Sequence, residues 1–90
     1  MLKDKALLHI KGGIQMNAFK IILQSVNDVK DFVNTVSKFN YDIDLVSGRY
    51  VVDAKSIMGI FSLDLTKPIE VRVFADEFDN LYSEIERFII

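Results

Sequence analysis

Apolar residues return at every second position in some stretches of this chain and at every third or fourth in others, and the change of period divides it into elements. Phe19, Ile21 and Leu23 alternate with Lys20, Ile22 and Gln24, which predicts a strand with one buried face. Val26, Val29, Phe32, Val33, Val36 and Phe39 follow at helical spacing and predict an amphipathic helix. Ser25 or Asn27 can cap its start, Asp28 and Asp31 suit the positive end of its dipole, and Asn40 is placed to stop it. Tyr41, Ile43 and Leu45 alternate with Asp42 and Asp44, Ser47-Gly48 marks a tight turn, and Tyr50-Val51-Val52 returns as the second arm of a hairpin. Ser56 to about Leu63 reads as a short helix, weakened by Gly59. Ile69, Val71 and Val73 alternate with Glu70 and Arg72 in a last strand, with Pro68 at its entry, where a missing N–H is tolerated. Asp76 is expected to open a final helix whose apolar stripe is Phe78, Leu81, Tyr82, Ile85, Phe88 and Ile89.

The predicted order is β-α-β-β-α-β-α. With a hairpin in the middle, the natural packing is an α+β fold: a four-stranded antiparallel sheet with three helices on one face. The other face stays partly open and should carry Lys20, Asp42, Asp44 and Arg72.

Residues 1–15 stand apart from residues 16–90, which form the expected domain. Lys11-Gly12-Gly13 lies just before Met16, and a purine-rich ribosome-binding site read in frame encodes Lys-Gly-Gly. The expectation is a leader of translated upstream sequence with the natural start at Met16. The alternative is a genuine extension, with Leu2, Ala6 and Ile10 on one face of a short helix.

Ninety residues suffice for one domain, and half of them are hydrophobic, including seven Phe and three Tyr, which excludes the disordered class. Cysteine is absent, so a disulfide framework, thiolate catalysis and Cys-based metal sites are excluded, and a reducing cytoplasm fits. No apolar run reaches the length of a membrane span, and Ala6-Leu7-Leu8 is too short for a secretory signal core. The formal net charge is −2. Lys3, Lys5 and Lys11 face only Asp4 in the first fifteen residues, so the domain itself is more acidic than the whole chain. That is a poor match for direct nucleic-acid binding, which needs clustered Lys and Arg.

The most distinctive stretch is Asp53-Ala54-Lys55-Ser56-Ile57-Met58-Gly59-Ile60-Phe61-Ser62-Leu63. Together with Ser37-Lys38-Phe39 and Tyr41-Asp42-Ile43, it resembles the HPr family, the small phosphocarriers of the bacterial phosphoenolpyruvate-dependent sugar phosphotransferase system. The resemblance covers Met16–Ile90 and implies the open-faced β-sandwich of that family. It implies that Ser56 matches a serine phosphorylated by a dedicated kinase in many Gram-positive bacteria. It further implies that Ile57, Met58 and Phe61 match a docking patch for enzyme and regulator partners, with Lys55 as the basic residue beside the serine.

The family's active-site pattern, Gly-Ile-His-Ala-Arg-Pro, is missing. Counting back from Phe39, Ser25 falls at the phosphohistidine position, Asn27 at the arginine and Asp28 at the proline, and the connection Leu23-Gln24-Ser25 is shorter than the family's loop. Reversible phosphoryl transfer suits imidazole, and a phosphoserine is a far poorer donor. His9, in the N-terminal segment, is the only histidine.

Each of these residues also has a structural reading. Ser25 and Ser56 can be helix N-caps, Ser25 in a Ser-x-x-Asp box with Asp28; Ile57, Met58 and Phe61 can be ordinary core; Asp42 and Asp44 are most simply solvated. The expectation is a cytoplasmic, non-enzymatic, regulatory HPr-like protein without metal or cofactor, docking through Lys55, Ile57, Met58 and Phe61 and switched at Ser56. Its partners would be the HPr serine kinase, phosphotransferase-system enzymes or a transcriptional regulator. The alternatives are a phosphocarrier component and an assembly module. HPr-like proteins that lack the histidine but co-regulate transcription keep the arginine that Asn27 replaces, which weakens the co-regulator role. Partner identity and oligomeric state are not legible.

Overall fold

The computed structural model describes the backbone of residues 6–11 and 14–90 and the side chains from Met16 onward. Strands β1 (Ala6–Lys11), β2 (Ile14–Ile21), β3 (Asp42–Ser47), β4 (Tyr50–Asp53) and β5 (Ile69–Phe74) form one antiparallel sheet in the order β1-β2-β5-β3-β4. Helices α1 (Val26–Val36), α2 (Ile57–Phe61) and α3 (Asp79–Glu84) complete the fold, followed by a 3-10 turn at Glu86–Phe88. The β2-β5-β3-β4 sheet and three helices are the α+β arrangement the periodicity predicts; β1 adds a fifth strand at its edge. β2 and β3 run parallel on either side of β5, as do β4 and β5 on either side of β3, so each pair needs a helical crossover, supplied by α1 and α2.

One sheet face forms the core. Phe19, Ile21, Ile43, Leu45, Ile69, Val71 and Val73 pack beneath Val29, Phe32 and Val36 of α1, Ile60 of α2 and Leu81 of α3. Phe78 stacks parallel to Phe19 at 5.9 Å between ring centroids, and Phe88 meets Phe32 edge-on at 5.9 Å. The hairpin turns at Gly48, whose φ of +61° favours glycine, while no other described residue has a positive φ.

Several expectations need correction. The backbone of Ala6–Lys11 is a strand paired with β2, so Ala6 and Ile10 do not belong to a helix; Leu2 lies outside the described residues. Asp76 does not open the last helix: Phe78 occupies the N-cap position with no side-chain cap, because its ring is drawn into the core. The chain end leaves the helix for the edge of β2, where Ile22 N–H donates to Phe88 O and Ile90 N–H to Lys20 O. α1 ends at Val36, before Phe39 and Asn40, in tight turns whose Lys38 and Phe39 N–H groups donate to Thr35 and Val36 carbonyls. Val26 is exposed at the start of α1 and does not join its buried stripe. The open face is wet in its middle, where Arg72 Nε meets Glu70 Oε2 at 2.6 Å beside Lys20, Asp42 and Asp44, but Met16, Ala18 and Phe74 on the same face are buried.

Tyr41 is half-buried and tilts against Phe39 at 5.7 Å, and its hydroxyl is enclosed with no hydrogen-bond partner among the described residues. Burial pushes its pKa above the ordinary tyrosine value. The native state therefore holds this proton more tightly than the unfolded chain. That contribution is complete below pH of about 10 and is lost as pH rises through the folded-state value. Tyr41→Phe removes an uncompensated polar group, so stability at pH 7 should be unchanged or higher by up to about 1 kcal/mol, with a smaller loss as pH rises above about 10. Urea melts at a series of pH values check this; a clear destabilisation at pH 7 would mean that the hydroxyl has a partner in solution.

Candidate functional site

Two helix starts carry the chemistry the sequence singles out. At the first, Ser25 has extended backbone (φ −147°, ψ 165°) and its Oγ accepts from Asp28 N–H at 3.0 Å. Asp28 Oδ2 accepts in turn from Gln24 N–H at 2.9 Å, so the Ser-x-x-Asp box is closed one residue earlier than in the usual reciprocal form. Arg87, from the turn after α3, reaches Asp28 at 3.6 Å and Asp31 at 2.9 Å while its guanidinium lies 4.1 Å from the centroid of the Phe88 ring. Asn27 is exposed. At the start of α1 the Asp28 N–H is thus taken by the Ser25 hydroxyl, and the Asp28 carboxylate sets a negative charge beside the positive end of the helix dipole.

The second start is Ser56. Its backbone is also extended, and its Oγ accepts from Gly59 N–H at 3.1 Å, capping α2. A Cβ built on Gly59 would stand 3.2 Å from both Ser56 Oγ and Val52 Cβ. The absence of a side chain there lets α2 lie close to β4 and leaves room for the serine hydroxyl. α2 has five residues, and its inner side is taken by Ile60, fully buried, and Ile57, half-buried. Met58 and Phe61 are left outside at 77% and 42% exposure.

Lys55 is not turned toward that patch. Its Nζ donates to Phe39 O at 2.6 Å and Tyr41 O at 3.1 Å, a cation tying down the carbonyls that follow α1. Phe61 instead faces residues that periodicity did not single out as a surface. With Ile22, Leu23, Gln24, Ser25, Val26, Leu65 and Thr66 it lines an open groove of about 480 Å³ between the start of α1 and the end of α2. Val26 is the one exposed residue of the predicted α1 stripe, and its position as first residue of the helix was the available signal. Ser25 and Phe61, 36 positions apart in sequence, are thus brought to one groove, while Asp42 and Asp44 stay on the opposite sheet face. His9 lies on β1, opposite Met16 in the β2 register, and not at the entry to α1.

Both serines should behave as caps when phosphate is absent. Ser25→Ala and Ser56→Ala are each expected to cost about 1 kcal/mol, a fall of roughly 4–8 °C in a domain of this size. Thermal melts of the two variants measure it; no change at either position would show that the cap there contributes nothing.

The family model described as the PTS HPr component phosphorylation site matches residues 27–89, more than half of the chain. The match begins after Ser25. Among solved structures, HPr-C-His from Thermoanaerobacter tengcongensis superposes with a TM-score of 0.64 at 26% identity, covering 80% of this chain and 86% of that one. The phosphocarrier protein HPr from Bacillus anthracis str. Ames gives a TM-score of 0.63 at 22% identity, covering 83% and 98%, a likeness of fold. The match across α1, the hairpin, α2, β5 and α3, joined to the superposition of whole domains, shows that this chain belongs to the HPr family.

Proposed function

We propose that this protein is a regulatory, protein-binding member of the HPr family that docks through α2 and is switched by phosphorylation of Ser56, and that it does not carry phosphate on a histidine. The observation that carries the reading is Met58, 77% exposed on a five-residue helix whose N-cap is Ser56. Met and Phe on an exposed helix suit an adaptable apolar contact. A phosphate on Ser56 would add about −1.5 to −2 charge beside that contact, changing partner affinity while leaving the core alone.

The α1 entry supports the second half of the proposal. Ser25 is engaged as a cap, and an incoming phosphoryl group would meet the Asp28 carboxylate, with Arg87 already shared between Asp28 and Asp31. The working location is the cytoplasm, with the serine kinase, phosphotransferase-system enzymes or a transcriptional regulator as partners. No helix among the described residues is long and apolar enough to cross a membrane.

Incubation with ATP and HPr serine kinase, followed by intact-mass analysis, is the direct test. One added phosphate is expected, abolished in Ser56→Ala; no phosphate alongside a phosphorylated HPr control would reject the switch. Met58→Asp should fold with stability within about 0.5 kcal/mol of the unsubstituted chain, since the side chain is exposed. Its phosphorylation should nevertheless slow by about tenfold or more, because a desolvated apolar contact becomes a charge. An unchanged rate would remove Met58 from the docking surface.

A further inference from the structure

The sheet ends at β4, which is paired with β3 on one side and with no described strand on the other. Ala54 N–H donates to Ile43 O at 2.9 Å, just beyond the Asp44–Asp53 pair. In an antiparallel ladder such a bond flanks a pair whose own N–H and C=O groups point away from each other. Asp53 and, by alternation, Val51 therefore turn their backbone groups away from β3. The Asp53 carbonyl is used locally, accepting from Ser56 N–H at 3.0 Å, while the Val51 N–H and C=O face the open edge. The side chains there are apolar: Tyr50 and Val51 are 66% and 57% exposed. Val52, between Val51 and Asp53, is the one that packs against the core. An edge of this kind is a template for one more strand.

The sequence of that edge is complementary to itself. Arg49 and Asp53 stand two positions before and two after Val51, and neither makes an ion pair among the described residues. In an antiparallel pair of two β4 strands with the two-fold axis at Val51, Arg49 of each copy stands opposite Asp53 of the other. Tyr50 then stands opposite Val52, an aromatic facing a β-branched side chain, and the outward groups of Val51 bond to those of the second Val51. Neighbouring registers lack this match. An axis at Val52 sets Arg49 against Lys55, and one at Asp53 sets that carboxylate against itself. An axis at Tyr50 leaves Arg49 opposite Val51 and Asp53 opposite Ser47.

We propose that the partner of β4 is a second copy of this chain, joined edge to edge through an antiparallel β4–β4 pair centred on Val51, so that the two sheets continue across a two-fold axis. The contact is isologous, each copy giving the same strand. It rests on the sheet edge and not on Met58 or on modification of Ser56. A four-residue strand covers less than the roughly 800 Å² per partner of a standard interface, so the dimer fills at high concentration. Salt weakens it by screening the Arg49–Asp53 pairs.

Sedimentation equilibrium of the full chain from about 10 µM to about 1 mM should show monomer passing into dimer. Arg49→Asp and Asp53→Arg each set like charges opposite one another at both ends of the pair, and each should weaken association by about tenfold or more. An equimolar mixture of the two variants regains both opposite-charge pairs in the mixed dimer and should associate as the unsubstituted chain does. Asp53→Arg also removes the acceptor of Lys55 N–H, held at 2.9 Å. If that variant unfolds, Val51→Pro decides in its place, because it deletes an outward donor and leaves the β3 ladder intact. A chain still monomeric at about 1 mM would overturn the proposal, as would folded charge variants that stay monomeric when mixed. Association that survives both Arg49→Asp and Val51→Pro would also overturn it, and its loss in Met58→Asp would then place the contact on α2.

Discussion

Burial of one face of β5 is the constraint from which the rest of this fold follows. Ile69, Val71 and Val73 are fully buried, and the strand carrying them is hydrogen-bonded on both sides, to β2 and to β3. Each of these side chains contributes about 1.5–3 kcal/mol when removed from water, but only if something apolar lies over it. Helices supply that layer. Because β2 and β3 flank β5 in parallel, the chain between them must cross over it, and α1 is laid across the face that needs covering. α2 makes the equivalent crossing above β3. The two crossings bring the start of α1 to the end of α2, and the groove containing Ser25 and Phe61 is a product of that geometry.

The same frame has been given different chemistry at its two helix starts. α1 begins with a cap, an internal carboxylate and a clamp from Arg87. α2 begins with a cap alone. Its hydroxyl sits against Gly59, where a side chain would crowd both it and Val52. Residues 16–90 contain no histidine, so the start of α1 offers a hydroxyl at Ser25 and an amide at Asn27 in place of an imidazole and a guanidinium. At α2 the serine is a half-buried helix start beside the exposed side chain of Met58.

Much of this architecture was legible because local period and global packing agree. Ile43 and Leu45, or Ile69, Val71 and Val73, alternate cleanly, and each lies on the buried face that alternation assigns. Legibility failed where a long-range contact overrode the local pattern. Asp76 looks like a helix start, yet stacking of Phe78 on Phe19, 59 positions away, delays the helix to Asp79. Ala6-Leu7-Leu8-His9-Ile10-Lys11 shows no sustained alternation, because a bulge shifts the register between Leu7 and His9, and so its strand character was hidden. Lys55 looked like a surface cation beside a serine; only the fold brings the carbonyls of Phe39 and Tyr41 within its reach. The caps at Ser25 and Ser56 were readable because they depend on residues three positions away.

The exposed side chains of α2 follow from the shortness of the helix. A helix of five residues has barely more than one turn, so Ile57 and Ile60 exhaust its inward side and Met58 and Phe61 have nowhere to go but outward. A longer connection could have buried them, but β4 and β5 fix the ends of the crossing and Gly59 sets how closely it approaches Val52. The outward apolar surface is thus imposed by the same closeness that seals the core beneath it. A polar residue at position 58 would be better solvated and leave the core untouched. Met58, the more exposed of the two, therefore adds little to the stability of the isolated domain, whereas Phe61 keeps part of its ring against the groove beside α1.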